Sequence, residues 1–356
     1  MQPMFPLKSL AARSASAARS SGAGPELSGA TTGASRARLR MLPVGVGPVT
    51  RKEFADHLSG LRFVILLILI GVASVAAVYA ASATVREAAS QFASGVSFPF
   101  LRLFTVSGEN LPSLVSFVAF LAPLLGIALG FDALNSERSH GTLSRLVSQP
   151  IHRDAILHGK FLAGLGVVGL SLVALVAIVG GVGILLVGVP PSAEEVGRLI
   201  MFIVLTIIYV GFWLALAQLF SVLFKQAATS ALASIAFWLF FAIFASLIVG
   251  LVVNWVAPAG DDATAAEIIR HERLSLRLER ISPITLYSEA TTGLLNPNVR
   301  SLGVILTSQV DRALATPLGF GQSLVLIWPQ VISLIGVSLL FFTLSYILFM
   351  REEIRA

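Results

Sequence analysis

Residues 199–223 read LIMFIVLTIIYVGFWLALAQLFSVL, a run of twenty-five residues that contains no charged side chain. A helix needs about 20 mostly apolar residues to cross the hydrocarbon core of a bilayer. Five other stretches have a similar length and apolar character, and they occupy residues 61–81, 113–131, 161–189, 229–256 and 325–349. The sequence therefore predicts an all-α, polytopic membrane protein with six transmembrane helices.

The composition of the whole chain supports this fold class. Of its 356 residues, 56% are hydrophobic and 12% are charged, whereas a soluble domain has roughly 25% charged residues. The mean hydropathy is +0.86. These values exclude an ordinary soluble domain and a disordered chain. The chain has no cysteine, which excludes a disulfide framework, a thiolate metal site and a cysteine nucleophile.

Basic residues are distributed unevenly between the two sides that six spans define. Sixteen Lys and Arg residues fall on the side of the two termini and the 132–160 loop, against three in the short segments of the other side. The long segment 257–322 carries little weight in this comparison, because long loops translocate largely regardless of charge. We therefore expect a protein of the plasma membrane with both termini and the 132–160 loop in the cytoplasm.

The predicted spans carry no acidic or basic side chain apart from Arg62, at the start of the first span. Proton-coupled carriers and pumps normally keep such groups at mid-membrane, so a secondary carrier is disfavoured. The chain has no G-x-x-x-x-G-K-[ST] loop, and its G-x-G-x-x-G pattern at 164–169 lies inside a span, where glycines favour helix packing over dinucleotide binding. No residue is predicted to be catalytic or to bind a metal. If the protein transports actively, its energy must therefore enter from outside the membrane.

The first 45 residues differ in composition from the rest of the chain. Residues 1–40 hold six basic residues and a single acid, Glu26, with no sustained apolar face. This composition predicts a disordered basic tail or a mis-called start, with Met41 as the true one, and an organellar targeting sequence is the alternative. Residues 46–356 form the predicted membrane domain, which includes a large outer segment at 257–322.

A short helix is predicted before the first span. Thr50 and Glu53 have the spacing of a capping box, in which two side chains satisfy backbone donors at a helix start. Phe54, Leu58 and Leu61 then fall on one face of the helix. This segment either lies in the membrane interface as an amphipathic helix or extends the first span into the cytoplasm.

The loop between the second and third spans carries the most informative sequence. Leu143, Leu146 and Val147 lie at helical spacing and form an apolar ridge, and Pro150 ends this short helix. A helix of this kind suits a groove on a partner protein. The alternative is a solvated turn, which would leave the ridge exposed to water. We therefore predict a docking helix over about residues 139–147.

The same loop resembles a known family. The patterns E-x-x-x-G-T-L (137–143), S-x-P-I-x-R (148–153) and I-L-x-G-K (156–160) are similar to those in permease subunits of type-2 ABC exporters. The six spans, the helix before them and the outer segment between spans five and six also match. The resemblance implies that this loop forms a coupling helix for a cytoplasmic ABC ATPase. The predicted coupling residues are Glu137, Gly141, Thr142, Leu143, Leu146, Pro150 and Arg153.

The resemblance also implies how such subunits assemble. Two permeases would pair, as a homodimer or a heterodimer, and ATP would bind to the ATPase subunits. This chain would then need no cofactor of its own and would not be an enzyme by itself. The second and fifth helices would face a central pathway, with Phe120, Pro123 and Ser246 near the cargo.

Two functional hypotheses follow. The first is the membrane-spanning permease subunit of an ATP-driven ABC exporter. The second is a membrane scaffold or an assembly or maturation factor, which recruits a cytoplasmic ATPase without classical transport. A nucleic-acid partner is not expected, because the seven acids and six arginines of the outer segment nearly cancel. The sequence does not indicate the cargo.

Overall fold

The computed structural model describes residues 45–91, 98–107, 111–139, 141, 152–188, 190–260, 263–303 and 317–351. Every regular element in these ranges is a helix. In chain order they are α1 (Val46–Ser59), α2 (Leu61–Gln91), α3 (Pro99–Thr105), α4 (Leu114–Gly130), α5 (Asn135–Ser139), α6 (Arg153–Val187), α7 (Ala193–Leu223), α8 (Ala227–Leu239), α9 (Ala245–Val256), α10 (Ala265–Glu279), α11 (Pro283–Leu295) and α12 (Phe320–Arg351). A π-helical segment, Phe240–Phe244, joins α8 to α9.

Six helical segments of the described chain are long and apolar enough to cross a membrane. Spans one to six are Leu61–Ala83, Leu114–Ser139, Arg153–Val187, Ala193–Leu223, Ala227–Val256 and Phe320–Arg351. Their number and order confirm the predicted all-α, six-helix membrane fold. Span three has 35 residues, which at 1.5 Å per residue is about 50 Å and exceeds the hydrocarbon core of about 30 Å. The ends of this span therefore extend beyond the hydrocarbon core unless the helix is strongly tilted.

Span four lies at the centre of the helical bundle. In its most apolar stretch, 67% of the residues are buried, whereas in that of span five only 6% are. Span four packs against spans two, three and six, and its Tyr209 and Trp213 are fully buried. The Tyr209 hydroxyl donates to the carbonyl oxygen of Ala119 in span two, at 2.8 Å. Span five, by contrast, leaves most of its surface uncovered in a single chain.

Two glycines of span two allow its backbone to approach span four. A Cβ atom at Gly126 would lie 2.7 Å from the carbonyl oxygen of Val210, and one at Gly130 would lie 2.8 Å from the Cβ atom of Ala217. Such short distances are tolerated only because glycine has no side chain. At Gly181 of span three, a Cβ atom would meet nothing within 4 Å.

The glycine pattern at 164–169 lies within α6, in the interior of span three. A Cβ atom at Gly164 would lie 2.8 Å from a methyl carbon of Leu214, and one at Gly166 would lie 3.2 Å from the ring of Phe54. These glycines therefore accommodate neighbouring helices. The packing interpretation of the pattern is confirmed.

Helix α1 is a separate element, because the chain is extended at Gly60 between α1 and α2. The predicted capping box at Thr50 and Glu53 is wrong. The helix begins earlier, at Val46, and the Thr50 hydroxyl donates to the Val46 carbonyl oxygen at 2.8 Å within the helix. Helix α1 packs along the beginning of α6, where Gly159 lets the side chain of Val49 lie close to the α6 backbone.

Helices α10 and α11 follow one another in the segment between spans five and six, and they pack against different parts of the bundle. Helix α10 returns alongside α9, and its His271 ring contacts the carbonyl oxygen of Ala257 at 2.8 Å. Helix α11 packs against spans two, four and six. Its Tyr287 is fully buried and shares a hydrogen bond of 2.8 Å with Thr206 of span four. Helix α11 is therefore integrated into the bundle.

We expect Gly126→Ala to destabilise the bundle by about 1–3 kcal/mol, because the new methyl group overpacks a backbone contact. The matched control is Gly181→Ala, which adds the same methyl group inside a helix where no atom is near. That control should be neutral or slightly stabilising, since alanine favours helix over glycine. Thermal unfolding of the purified variants in detergent measures both changes. Equal unfolding midpoints for the two variants would contradict the packing argument.

Candidate functional site

A buried charge cluster lies where the 132–160 loop meets the spans. The Lys160 ammonium nitrogen is 2.8 Å from Oε2 of Glu53 and 3.5 Å from Oε1 of Glu137. The exposed fractions of these side chains are 5% for Lys160, 11% for Glu53 and 12% for Glu137. We call these three residues the Lys160 cluster. It joins α1, the end of span two and the beginning of span three.

The electrostatics of the cluster are set mainly by its own charges. Burial alone would raise the pKa of Glu53, but the charge and hydrogen bond of Lys160, followed by those of Lys52, hold this pKa below its usual value. Burial acts to lower the pKa of Lys52, yet the neighbouring carboxylate of Glu53 raises it overall. The Glu53 carboxylate is therefore stabilised in its charged form.

A cavity of about 220 Å³ adjoins the cluster, between α1 and the end of span two. Its wall includes the cluster and Asp132, whose carboxylate forms an ion pair of 2.7 Å with Arg62 at the start of span one. This second pair is more exposed, with 68% of the Arg62 side chain accessible, so it contributes less than a buried pair. It nevertheless connects span one to the same end of the bundle.

The beginning of the loop is also tied to the end of span four. The hydroxyl oxygen of Ser221 accepts hydrogen bonds from the backbone N–H groups of Leu134 and Asn135, at 3.0 and 3.3 Å. The Arg138 guanidinium group donates to the carbonyl oxygens of Ser221 and Phe224, each at 3.4 Å. These carbonyls belong to the last turn of a helix, where backbone acceptors lack helical partners. A cation there is also favoured by the helix dipole.

The other end of the loop contacts the last span. Arg153 lies over the ring of Phe349, 5.5 Å from its centroid, which is a favourable cation–π geometry. The His158 ring stands edge-on to Phe342, with centroids 5.1 Å apart. Both ends of the loop therefore contact several spans at once.

The structure describes only part of the predicted coupling set. Glu137 belongs to the Lys160 cluster, Arg153 contacts span six, and Gly141 has a left-handed φ of 65°, which glycine adopts without strain. Their predicted roles in coupling remain predictions. The remaining predicted coupling residues lie outside the described residues, and they are Thr142, Leu143, Leu146 and Pro150.

The three predicted pathway residues have different surroundings. Phe120 is 46% exposed and packs edge-on against Trp238 of span five, with ring centroids 5.0 Å apart. Pro123 is buried within span two, and Ser246 is exposed on span five. Phe120 and Ser246 are thus accessible in a single chain, whereas Pro123 is covered by its own bundle. Their contact with cargo remains a prediction.

A second buried charge lies at the opposite end of the spans, and the sequence analysis missed it. Arg198 of span four is fully buried. Its guanidinium group donates to the carbonyl oxygens of Leu294 and Leu318 at 2.6 and 2.7 Å, to the Ser323 hydroxyl at 3.0 Å and to the Glu194 carboxylate at 2.9 Å. It therefore ties α11 and the start of span six to span four.

A capping box lies beside Arg198. The Glu195 carboxylate accepts from the Ser192 backbone N–H at 2.8 Å and from the Phe100 N–H of α3 at 3.0 Å. The S-x-x-E spacing at 192–195 is visible in the sequence and predicts this helix start. Nothing comparable in the sequence indicates the burial of Arg198, since its partners come from distant segments.

Chemically, the Lys160 cluster is suited to mechanical connection. It contains one ammonium group that forms ion pairs with two carboxylates. The described residues include no group of three or more side chains that could hold a metal ion. Because these charges have little access to water, separating them is costly. A displacement of the loop must therefore move α1 and span three together with it or break buried ion pairs.

The match with known sequences agrees with this architecture. Residues 48–354 match the family described as ABC-2 family transporter protein, and the chain belongs to this family. It is a membrane subunit of an ABC transporter, a class that implies an ATPase partner and is not an enzyme on its own.

Two curated relatives carry the description "Probable ABC transporter permease protein NosY". The one from Pseudomonas aeruginosa is 29% identical over 203 residues, which cover 56% of this chain and 67% of the relative. The one from Stutzerimonas stutzeri is 30% identical over 135 residues, which cover 38% of this chain and 42% of the relative. The chain thus matches less than half the length of the second relative.

We expect Lys160→Met to destabilise the chain by about 3–5 kcal/mol, because it leaves two carboxylates buried without their cation. Lys52→Met is the control, since this lysine is 61% exposed and its removal should cost at most about 1 kcal/mol. The triple variant Lys160→Met, Glu53→Met, Glu137→Met should recover much of the loss, because it removes the carboxylates as well. Thermal unfolding in detergent measures the stability of all three variants. A triple variant less stable than Lys160→Met would show that the carboxylates do not cause the loss.

The lowered pKa of Glu53 predicts a specific pH dependence of stability. A carboxylate whose pKa is lower in the folded state stabilises the fold above its unfolded pKa, near the reference value of 4.5, and this stabilisation is lost as the pH falls through the folded pKa. Unfolding midpoints measured between pH 7 and pH 3 should therefore fall less steeply in Glu53→Gln than in the wild type. Asp56→Asn, on the same helix but 60% exposed, is the control. An unchanged slope in Glu53→Gln would contradict the role of this pair.

Proposed function

We propose that this chain is the permease subunit of an ATP-driven ABC exporter. A separate cytoplasmic ATPase subunit binds and hydrolyses ATP, and the chain itself binds no cofactor. The chain lies in the plasma membrane with both termini and the 132–160 loop in the cytoplasm. That orientation is supported by the excess of basic residues on this side.

The observation that carries the proposal is the anchoring of the 132–160 loop at both of its ends. Glu137 reaches Lys160 and, through it, Glu53 of α1, while Arg153 contacts Phe349 of span six. A force applied to the loop between these anchors is delivered to several spans through buried contacts. A loop that couples energy to the spans requires such anchors. A passive connection between two helices does not require them.

The ATPase docks, in this proposal, on the apolar ridge of Leu143, Leu146 and Val147. An apolar ridge within a polar rim supplies affinity, and the rim charges orient the partner. Glu137 and Arg138 then serve inside the permease, because their contacts lie within its own bundle. Docking and transmission are therefore assigned to different residues of the same loop.

A second permease completes the transporter. Span five supports this assignment, because its surface is largely uncovered within one chain and includes large apolar side chains such as Leu232 and Leu251. Two chains that pair across spans two and five would place Phe120 and Ser246 beside a shared pathway. The cargo moves outward along it in this proposal.

Copurification of an ATPase with the tagged chain tests the proposal. Leu143→Asp should release the ATPase, because a charge placed in an apolar interface is desolvated without a partner. Ile268→Asp is the matched control, since it makes the same kind of change at a residue of α10 that is 52% exposed. Glu137→Gln should retain the ATPase but change its rate of ATP hydrolysis in the complex. This result is expected if Glu137 transmits movement to the spans and does not contact the ATPase.

The two variants together make the outcome decisive. Retention of the ATPase by Leu143→Asp, with the wild-type rate of hydrolysis, would overturn the assignment of the loop as the docking element. A wild-type hydrolysis rate in Glu137→Gln would overturn its role in transmission. Recovery of each variant from the membrane fraction, with a monodisperse size-exclusion profile after purification, excludes misfolding as the cause.

A further inference from the structure

A cavity of about 320 Å³ lies between the middle of span five and the connection from α10 to α11. This volume falls at the lower end of the range for small-molecule sites. The side chains that form its apolar wall come from both elements, and they are Phe240, Phe241, Ile248, Val249, Leu278 and Ile281. The cavity is separate from the Lys160 cluster and from the Arg198 contacts.

One carboxylate lines this mostly apolar cavity. Glu279 is the last residue of α10 and belongs to the cavity wall. Its Oε1 atom accepts a hydrogen bond of 3.0 Å from the Ser275 hydroxyl, and it forms no ion pair with any residue that the structure describes. A partly buried carboxylate beside apolar side chains attracts a cation more strongly than one in open water, because the local dielectric is lower.

The neighbouring arginine does not supply that cation. Arg280 follows Glu279 in the sequence but directs its guanidinium group to Glu289, with nitrogen–oxygen distances of 2.9 and 3.0 Å. It also donates to the carbonyl oxygen of Leu302 at 2.5 Å. The positive charge nearest in sequence is thus already paired with a carboxylate of α11.

Aromatic rings form the wall contributed by span five. Phe240 and Phe241 pack edge-on with ring centroids 5.2 Å apart, and they begin the π-helical segment of the span. Ring faces attract cations, with the largest effect when water is excluded. Insertions of π-helix are also frequent at functional sites. Ser246 and Thr285 add hydroxyl groups to the same wall.

We propose that this cavity binds lipophilic cations, with the positive group beside Glu279 and the apolar part against the rings of Phe240 and Phe241. A carboxylate selects positive charge, and the apolar wall selects molecules that leave water readily. As a cargo site, this assignment rests on the transport function proposed above and names its substrate class. The binding itself does not depend on an ATPase.

The same chemistry is present in the ammonium headgroups of membrane lipids. Ser246 lies on the exposed surface of span five, so a molecule dissolved in the bilayer has access to the cavity. A free lipophilic cation and a lipid headgroup would both place an ammonium-like charge near Glu279. Competition between them distinguishes the two sources.

The test is binding of tetraphenylphosphonium to the purified chain in a non-ionic detergent, measured by equilibrium dialysis. Tetraphenylborate is the matched probe, because it has nearly the same size and shape with the opposite charge. We expect the cation to bind at one site per chain and the anion to bind at least about tenfold more weakly. Equal affinity for the two ions would overturn the proposal.

Variants locate the site. Glu279→Gln should weaken binding of tetraphenylphosphonium by about tenfold or more, and Ser246→Trp should also weaken it by filling the cavity. Glu272→Gln is the control, since it removes an exposed carboxylate two turns away on the same helix, outside the cavity wall. Wild-type affinity in Glu279→Gln, with wild-type thermal stability, would overturn the assignment. Loss of binding in all three variants would contradict the location.

A competition assay identifies the source of the natural ligand. Displacement of tetraphenylphosphonium by short-chain phosphatidylethanolamine, but not by phosphatidylglycerol, would support a lipid ammonium group as the occupant. No displacement by either lipid would support a free lipophilic cation. Displacement by both lipids to the same extent would indicate an apolar site without charge selection and would overturn the proposal. Because no ATPase is present, failure here is distinguishable from failure of the proposed transport function.

Discussion

The burial of one ammonium group determines how the loop end of this protein is built. Lys160 is 5% exposed and would be too costly to bury alone, so its position depends on the carboxylates of Glu53 and Glu137. Those carboxylates in turn are buried only because Lys160 lies between them. The result is that α1, the end of span two and the beginning of span three share one set of contacts. The predicted docking helix is attached to this set.

The opposite end of the spans follows the same physical rule with different residues. Arg198 is fully buried and is tolerated there because carbonyl oxygens, a hydroxyl and the Glu194 carboxylate accept its N–H groups. Between the two ends, the interior is held by apolar packing, close approach at Gly126 and neutral hydrogen bonds such as that of Tyr209. Span five lies outside this arrangement, which leaves its surface for lipid, a second subunit or a ligand.

Features that depend on a local sequence pattern are predicted correctly, whereas contacts between residues far apart in the chain are not. The six spans follow from runs of apolar residues, and the glycines at 164–169 were assigned to packing because they lie in such a run. The spacing of Glu53 from Thr50 predicts a capping box, which the structure does not contain at this position. The actual partner of Glu53, Lys160, lies more than a hundred residues later in the chain. No local pattern distinguishes these two uses of a glutamate.

The sequence by itself determined that this protein is an all-helical membrane protein with six spans, and its loop motif indicated the ABC permease class. Hydropathy decides the number of spans, because each helix must satisfy its backbone within the bilayer on its own. Only the tertiary structure decided which charges are buried, that α10 and α11 fold back against the spans, and that Glu279 lines a mostly apolar cavity. These features depend on contacts between segments far apart in the chain, where packing in three dimensions selects the partners.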